Sequence, residues 1–450
     1  MLLRPDVWNR SVKLAVAATV FFAFVLWIQP PRNHHGHRFK SWFSQPSHQW
    51  GSYGGPTQTS VTKDGCPVAS DADNVVITVK TGASEASARI PTQLRTTLKC
   101  PPNILHFSDM EQTVDNVTIH DALAPIPEFV KIGNPDFDLY RAQQARKRLG
   151  WHDEPVTEEV KKAAWTLDKY KNLHIVAKSY WLFPDKKWYL HIDADTYLVW
   201  SSLLWWLNTL DPSKPLYTGS LTCFGDVKAA HGGSGILLSN SAAKAIVQDN
   251  SSTIPSWDGQ ARDHCCGDEL VAQALKDNGI EMHNSWPLIN GDTPFTIPFG
   301  PQFWCEPVVT MHHLSTKEME IVAAFEQSRP NRSEPLSYME LFNELVYDHI
   351  PETTVDDWDN LSEGITLPDC PSFEACINEC NENDGCFQAS YDGSECILGT
   401  RNFRVGVEKK PEESKKWQSM WNKRRMREWA VVHVDCTNLH VAFKDSFVCG

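Results

Sequence analysis

The placement of the cysteines restricts this 450-residue chain more than any other feature. All 13 lie between Cys66 and Cys449, so the first 65 residues contain none. A cysteine-free leader before a cysteine-rich body is typical of chains that fold in an oxidising compartment, where disulfides persist. The close spacing from Cys370 to Cys396 predicts a small disulfide-stabilised module in the C-terminal part of the chain. Because the count is odd, one thiol is left free or pairs with another chain.

Upstream of that module, strand-like apolar runs alternate with helical stretches. Residues 75–79 and 103–107 have the composition of buried strands, with a helical stretch between them. A long helix is expected over 157–180, followed by a strand over 188–192. This alternation predicts an α/β fold with a Rossmann-like open sheet, in which ligands bind at the carboxyl ends of the strands.

Charge excludes one class of partner. The chain has 42 Lys+Arg against 56 Asp+Glu, a formal net charge of -14. Such an acidic chain lacks the broad basic face that nucleic-acid phosphates require, so no nucleic-acid partner is expected. No repeat of fixed period is present in the sequence, which excludes solenoids and propellers.

The N-terminal region predicts a membrane anchor. The run 14–28 is apolar and uncharged, and with its flanks it reaches the lower end of a membrane-spanning helix, about 17 residues. We therefore expect a cytoplasmic tail over 1–13, a transmembrane signal-anchor over 14–29 and a flexible stem over 30–70. A cleaved signal peptide is the alternative.

The tripeptide Asp-Ala-Asp occurs twice, and its position relative to a strand separates the two copies. Residues 71–73 precede the strand 75–79, whereas residues 193–195 follow the strand 188–192. Only the second copy therefore lies at the carboxyl end, where ligands are expected. Because carboxylate oxygens suit Mn²⁺ or Mg²⁺, the sequence predicts a metal site at residues 193–195 and a solvated turn at residues 71–73.

Four ordered segments resemble the Fringe-like and core 1 β-1,3-galactosyltransferase group, glycosyltransferase family 31. Residues 76–81 with Arg89, then 106–109, look like its nucleotide-binding first half. The others are the metal-binding segment 188–197 (WYLHIDADTY), the glycine segment 232–239 (GGSGILLS) and the acidic segment 266–270 (CGDEL). The cysteine spacing from 376 to 396 is similar to that of a PAN/apple domain.

This resemblance implies a domain plan. A GT-A nucleotide-sugar domain would occupy residues 71–345, followed by a linker over 346–369. A small disulfide-rich α+β domain of the PAN/apple type would occupy residues 370–450. Domains of this type bind proteins or carbohydrates, so the module would either recruit the acceptor or only stabilise the chain.

The resemblance also implies the metal ligands and the catalytic base. Asp193, Asp195 and His312 would hold Mn²⁺ or Mg²⁺ on the diphosphate of a UDP-sugar, with His313 as the alternative to His312. Asp268 would deprotonate the acceptor hydroxyl, with Glu269 as its alternative. The residues expected to contact the donor are Lys80, Thr81, Arg89, Asp109, Asp193, Ala194, Gly232 and Gly233. Many members of that family carry an acidic residue at the position of Ala194, so the contact that this acidic side chain makes to the donor would be missing here.

The implied activity is an inverting, metal-dependent transfer of a hexose or N-acetylhexosamine from a UDP-sugar to a glycan or glycoprotein hydroxyl. The expected linkage is β-1,3, and the expected location is the Golgi membrane, with a single-pass type II topology and a lumenal body. A homodimer is compatible with this reading. The alternative is a non-catalytic glycan-binding or adhesion protein with a degenerate site, although the intact acidic residues favour an enzyme.

The adjacent pair Cys265 and Cys266 lies just before the acidic segment. We expect each to pair elsewhere in the chain, for example with Cys223 or Cys305, and so to position the loop that carries Asp268. Zinc is not expected, because no second cysteine or histidine pair has a suitable spacing.

Overall fold

The computed structural model describes residues 60–62, 65–150, 156–248, 253–412, 415–434, 436 and 449, all within one compact unit. Its strands are β1 (Ser60–Val61), β2 (Pro67–Val68), β3 (Val75–Lys80), β4 (Ile104–Ser108), β5 (Gln112–Val114), β6 (Val117–Asp121), β7 (Trp188–Asp193), β8 (Tyr197–Leu198), β9 (Tyr217–Gly219), β10 (Leu221–Phe224), β11 (Val227–Ala230), β12 (Ile236–Ser239), β13 (Met282–Asn284), β14 (Thr310–Met311), β15 (Val355–Asp356), β16 (Trp358–Asp359), β17 (Glu363–Leu367), β18 (Gln388–Tyr391), β19 (Cys396–Asn402), β20 (Val407–Glu408) and β21 (Gln418–Trp421).

The helices in the described residues are α1 (Ala86–Arg95), α2 (Glu128–Lys131), α3 (Asp138–Arg148), α4 (Glu158–Asp168), α5 (Asn172–Leu182), α6 (Trp200–Leu207), α7 (Asn240–Gln248), α8 (Thr253–Gln260), α9 (Gly267–Asp277), α10 (Thr316–Ser328), α11 (Tyr338–Leu341), α12 (Phe373–Glu382) and α13 (Lys423–Val432). Short 3₁₀ turns cover Ala72–Asn74, Pro135–Phe137, Ala261–Asp263 and Tyr347–His349, and a π-turn covers Phe342–Val346.

An eight-stranded mixed sheet forms the larger part of the fold, in the order β13-β9-β12-β7-β3-β4-β6-β5. Strand β3 runs parallel to both β7 and β4, and β4 runs parallel to β6. Strand β12 is antiparallel to β7 and β9. The predicted α/β class is therefore confirmed, with β3 and β7 central in the sheet.

Both faces of the central strands are covered, which explains their continuous apolar sequences. Side chains alternate between faces along a strand. Accordingly, Val76 and Tyr189 belong to one buried cluster, packed with α5, α7 and α9. Ile77 and Leu190 belong to a second cluster on the other face, packed with α1 and α6.

The long helix predicted over 157–180 is wrong, because the segment forms two helices. Helix α4 ends at Asp168 and helix α5 begins at Asn172. Between them Lys171 turns inward, and its side chain is 1% exposed. Its ammonium group donates to the carbonyl of Thr81 over 3.1 Å. A continuous helix would leave this buried cation without those partners, so its contacts favour the break.

A two-stranded ladder joins two distant segments near the end of β7. Strands β8 and β14 are antiparallel, with Leu198 opposite Thr310 and Tyr197 opposite Met311. The backbone of Leu314 then donates to the carbonyl of Asp195 over 2.9 Å. The ladder therefore brings the residues that follow β14 to the residues that precede β8.

A second sheet lies in the C-terminal part of the chain. Its five strands are antiparallel in the order β15-β21-β18-β19-β17, and β16 pairs with β20 in a separate two-stranded sheet. Strands β15, β16 and β17 all fall within the segment 346–369 that was predicted as a linker. The disulfide Cys376–Cys396 ties helix α12 to β19, and Cys380–Cys386 ties the same helix to the turn before β18. Cys370 is the free thiol, and it is buried.

Three further disulfides correct the expected pairing of Cys265 and Cys266. Cys265 and Cys266 are bonded to each other, so the pairing expected with Cys223 or Cys305 is wrong. Cys223 and Cys305 instead bond to cysteines near the C-terminus, in the pairs Cys223–Cys449 and Cys305–Cys436. The cysteine-rich module is therefore covalently joined to the body of the large sheet.

The membrane location is also corrected. Within the described ranges, no helix is long and apolar enough to cross a bilayer, and the Golgi-membrane assignment is withdrawn. The predicted tail 1–13, the anchor 14–29 and most of the stem 30–70 lie outside the described residues.

Candidate functional site

The candidate site lies at the carboxyl edge of the central parallel strands. Lys80 ends β3 and Asp193 ends β7, and the two residues are direct neighbours in the register of the sheet. Asp109 follows the end of β4 on the same edge. Because the strands are parallel, side chains from separate parts of the sequence converge here, as expected.

The first Asp-Ala-Asp copy lies at the opposite edge. Asp71 precedes the 3₁₀ helix Ala72–Asn74, which lies directly before β3. The Asp71 carboxylate is 3.0 Å from the ammonium group of Lys187, and both side chains are close to half exposed. The prediction that this copy is a solvent-facing turn is confirmed.

Asp195, His312 and His313 form a group suited to a metal ion, the metal group. Each offers one ligand atom that lies within 4.8 Å of the others. The Nδ1 atom of His312 is 3.3 Å from Oδ1 of Asp195, and that of His313 is 3.8 Å from Oδ2. One carboxylate with two imidazoles is a donor set that fits Mn²⁺ and other first-row divalent ions.

The two histidines differ in burial. The His312 side chain is 5% exposed, and burial lowers its pKa to about 3, so the ring is neutral and can donate a lone pair to a metal. Its Nδ1 also lies 3.0 Å from the hydroxyl of Thr196. His313 is 67% exposed and has a positive φ of 62°, so it lies at the mouth of the group.

Asp193 lies beside this group and contacts a lysine. Its Oδ1 atom is 3.3 Å from the ammonium group of Lys80. Burial raises the pKa of Asp193 to about 7, and the nearby carboxylates of Asp168, Asp195 and Asp268 act in the same direction against the effect of Lys80. Of the three predicted metal ligands, the structure therefore brings Asp195 and His312 into direct contact and places Asp193 next to them.

A buried network of alternating charges continues from Lys80. The Lys80 ammonium group is hydrogen-bonded to Asp168, which is 3.3 Å from the Lys171 ammonium group. Lys171 in turn is 3.4 Å from Oδ1 of Asp109. Burial alone would lower the pKa of Lys80, but the carboxylates of Asp168 and Asp193 raise it above the usual range. Sequence reasoning missed Asp168 and Lys171, because neither belongs to a motif.

Asp109 has one buried oxygen left for a ligand. Its side chain is 1% exposed, and its Oδ1 accepts from the backbone N–H of Ala83 over 2.7 Å. Its Oδ2 is buried and has no hydrogen-bond partner among the described residues. A buried carboxylate oxygen without a partner is costly, so this position suits an N–H or O–H group of a bound molecule.

The glycine segment separates the predicted base from the metal group. The backbone N–H of Gly232 donates to Oδ2 of Asp268 over 2.8 Å. A Cβ at Gly232 would collide with that carboxylate, and a Cβ at Gly233 would collide with the ring of His312. The Gly233 carbonyl accepts from the Thr196 hydroxyl over 2.5 Å. Glycine is therefore required at both positions by close approach, and both face the site.

Asp268 is held on its other side by a residue that the sequence did not indicate. The side-chain amide of Asn172, the first residue of α5, donates to Oδ1 of Asp268 over 2.8 Å. Asp268 itself lies in the first turn of α9. Glu269, the alternative base, points to His264 at 2.9 Å. The two acidic neighbours therefore have different surroundings, and only Asp268 contacts the glycine segment.

Three other residues that were predicted to contact the sugar donor lie at the edge of the site. Each takes part in a hydrogen bond that involves a backbone group. Arg89 donates to the carbonyl of Leu314 over 2.9 Å, which braces the loop that carries the two histidines. The buried Ala194 donates its N–H to the carbonyl of Lys80 over 2.9 Å. The buried Thr81 provides the carbonyl that binds Lys171.

His231 is a further residue that sequence reasoning missed, although it directly precedes the glycine pair. Its ring lies 5.5 Å from the ring of His312, edge to face. Its Nδ1 is 2.7 Å from the hydroxyl of Ser234. Burial lowers the pKa of His231, which disfavours the charged form of this ring beside His312.

No protein-family model matches the chain, and no match was found among the curated proteins. What the site can do therefore has to be inferred from its own groups. They comprise a carboxylate with two imidazoles, a hydrogen-bonded carboxylate beside a glycine segment, and a buried carboxylate oxygen without a partner among the described residues.

Proposed function

We propose that this chain is an inverting, metal-dependent glycosyltransferase with a GT-A domain. It would transfer a hexose or N-acetylhexosamine from a UDP-sugar to a hydroxyl of a glycan or glycoprotein, with a β-1,3 linkage as the expected product. The observation that carries the proposal is the placement of the Gly232–Gly233 segment. One glycine contacts the carboxylate of Asp268, and the next contacts the ring of His312.

The donor set supports a divalent cation. Asp195, His312 and His313 would hold it, with Asp193 beside them. A bound Mn²⁺ would neutralise the charge of the departing diphosphate. The neutral state of the buried His312 keeps its imidazole available as a ligand.

Asp268 is suited to activate the acceptor. Its two oxygens accept hydrogen bonds from Asn172 and Gly232, which fix the direction of the carboxylate. In an inverting transfer, a single carboxylate takes the proton of the acceptor hydroxyl as that oxygen attacks the anomeric carbon. The sugar would lie against the glycine segment, where the missing side chains leave room.

The end of β4 is suited to the nucleotide. The unpartnered Oδ2 of Asp109 can accept a hydrogen bond from a base N–H or a ribose hydroxyl. Lys80 contributes a positive charge near the carboxylates of Asp168 and Asp193, at the side of the site that would face a diphosphate.

A donor screen tests the proposal. The purified protein is incubated with UDP-Gal, UDP-GlcNAc, UDP-GalNAc or UDP-Glc, and release of UDP is measured with Mn²⁺, with Mg²⁺ and with EDTA. We expect release from one donor, loss of release in EDTA and recovery when Mn²⁺ is added. Asp268→Asn, prepared in parallel, shows whether transfer from a contaminating enzyme contributes. Absence of release from all four donors would overturn the proposal.

A further inference from the structure

The second sheet reaches the candidate site through one loop of the large domain. At one end of this loop, the carbonyl of Asp292 accepts from the backbone N–H of the metal-group residue His312 over 3.0 Å. Three residues further on, the carbonyl of Phe295 accepts from Val405 over 3.0 Å. Residues 290–299 therefore lie between the histidine loop and the segment that follows β19.

A second contact fixes the same loop more firmly. Phe299 and Phe403 exchange two backbone hydrogen bonds, of 3.0 and 2.9 Å, and their rings stack. Arg404 follows Phe403 directly and precedes Val405, which also binds the loop. Because both of its neighbours pair with this loop, Arg404 is held beside residues 292–299.

The charged groups along this path alternate in sign. Asp195 is followed outward by His313, whose Nδ1 is 3.8 Å from Oδ2 of Asp195. Beyond it lies Asp292, where burial raises the pKa of the carboxyl and the positive charge of Arg404 opposes the rise. The path therefore leads from the metal group to the second sheet.

Arg404 is held in place before any ligand binds. Its Nη1 donates to the carbonyl of Leu361 over 2.8 Å, and its Nη2 is 3.5 Å from a carboxylate oxygen of Glu363. Its side chain is 16% exposed. A guanidinium group has five N–H donors, so these contacts leave donors for another partner.

We propose, on the basis of the proposed transferase activity, that Asp292 and Arg404 form a binding subsite for the acceptor sugar. Sugar hydroxyls both donate and accept hydrogen bonds. The Asp292 carboxylate would accept from one hydroxyl of a pyranoside, and the Arg404 guanidinium would donate to the oxygen of a neighbouring one. The subsite thus uses one residue from each of the two sheets.

This assignment explains the strong connection between the two sheets. Aromatic contacts between Trp304 and Trp429 and the disulfide Cys305–Cys436 join them, in addition to the pairing of Phe299 with Phe403. A binding group on a loosely tethered module could not stay within hydrogen-bond distance of a sugar fixed at the metal group. The connection holds the backbone of Arg404 beside the loop that carries Asp292.

Kinetics of four variants test the subsite. Arg404→Ala, Arg404→Lys and Asp292→Asn are compared with Arg401→Ala, a matched control because Arg401 also approaches Glu363, at 3.8 Å, but is 71% exposed. With p-nitrophenyl glycosides as acceptors, we expect the first three to raise the acceptor KM about tenfold, the cost of one or two hydrogen bonds to a charged group. Hydrolysis of the UDP-sugar without acceptor should not change in the two Arg404 variants.

Two results would contradict the subsite. One is an equal rise of the acceptor KM in Arg401→Ala. The other is a parallel loss of acceptor-free hydrolysis in Arg404→Lys, which would mean that Arg404 only supports the fold. Thermal unfolding of each variant identifies a misfolded Arg404→Ala, and the two conservative variants then decide the question.

Direct binding separates this inference from the proposed activity. Saturation-transfer NMR with methyl glycosides of galactose, glucose, N-acetylglucosamine and mannose reports sugar binding without turnover. Binding that is lost in Arg404→Lys and Asp292→Asn, in a protein that turns over no donor, would support the subsite and reject the transferase. Turnover with an unchanged acceptor KM in these variants would support the transferase and reject the subsite.

Discussion

Residues 71–73 and 193–195 have the same sequence and flank neighbouring parallel strands, but at opposite ends. The first copy leads into β3, and the second begins at the end of β7. The first faces solvent, whereas the second contacts histidines and a lysine that come from other parts of the chain. The direction of the strand, and not the tripeptide, decides which copy meets other functional groups.

Each copy also pairs with a lysine, and burial distinguishes the two pairs. Lys187 and Asp71 are 41% and 48% exposed. Lys80 and Asp193 are 12% and 27% exposed, and Lys80 bonds to Asp168 as well. Water screens the first pair strongly and the second only weakly. The attraction between the two charges is therefore weaker in the exposed pair than in the poorly exposed pair.

The largest expected effect comes from removing a carboxylate of the second copy. Asp195→Ala should abolish Mn²⁺-dependent UDP release and lower Mn²⁺ affinity by about 100-fold or more, because the residue contacts both histidines. Electron paramagnetic resonance titration measures the affinity. The double variant Asp71→Ala with Asp73→Ala should match the unmodified protein, and an equal loss in that variant would remove the distinction between the copies.

The next largest effect concerns Asp268, the proposed base. Asp268→Asn should lower kcat by about 10²- to 10⁴-fold, because the amide cannot take the acceptor proton. Its Mn²⁺ affinity should stay the same, since Asp268 lies on the other side of the glycine segment from His312. Glu269→Gln is the control, because Glu269 pairs with His264. A large loss in Glu269→Gln with activity retained in Asp268→Asn would exchange the two roles.

The two lysine pairs give a smaller, thermodynamic contrast. Lys80→Met should lower the free energy of unfolding by about 3–5 kcal/mol, because it leaves the poorly exposed Asp193 without its cation and leaves Asp168 with Lys171 alone. Lys187→Met should change it by at most about 1 kcal/mol, since that pair is exposed. Denaturant unfolding of both variants measures the difference. Equal values would show that burial does not separate the two ends.

The smallest expected effect separates the two histidines. His313→Ala should weaken Mn²⁺ binding about tenfold, the lower end of the range for a residue that supports a metal site. His312→Ala should weaken it more, because His312 is buried and closer to Asp195. The same resonance titration ranks them, and a larger effect at His313 would make it the principal ligand.

Much of the sheet was predictable from the sequence, because its strands are continuous apolar runs. The strands predicted over 75–79, 103–107 and 188–192 are confirmed to within one residue at each end. The predicted positions of both acidic copies relative to their strands are confirmed for the same reason. The expected helix over 157–180 failed, because its break depends on a buried contact with a residue 90 positions away.

Several site residues carry no local signal at all. Asn172 binds Asp268 across 96 residues, and Asp168 binds Lys80 across 88. The bond between Cys265 and Cys266 was also not predicted, because the alternative partners, Cys223 and Cys305, bond to cysteines near the C-terminus. Hydrophobic periodicity reports only which face of an element is buried, so partners of this kind cannot be read from it.

The sequence by itself determined the α/β class, the central strands and the edge of the sheet at which the acidic residues lie, because these follow from local apolar patterns and strand direction. The tertiary structure alone decided that His312 meets Asp195, that Asn172 orients Asp268 and that Arg404 lies beside the loop of Asp292. Each of these contacts joins residues that are far apart in the chain. They form only when packing of the whole chain has fixed both partners in space.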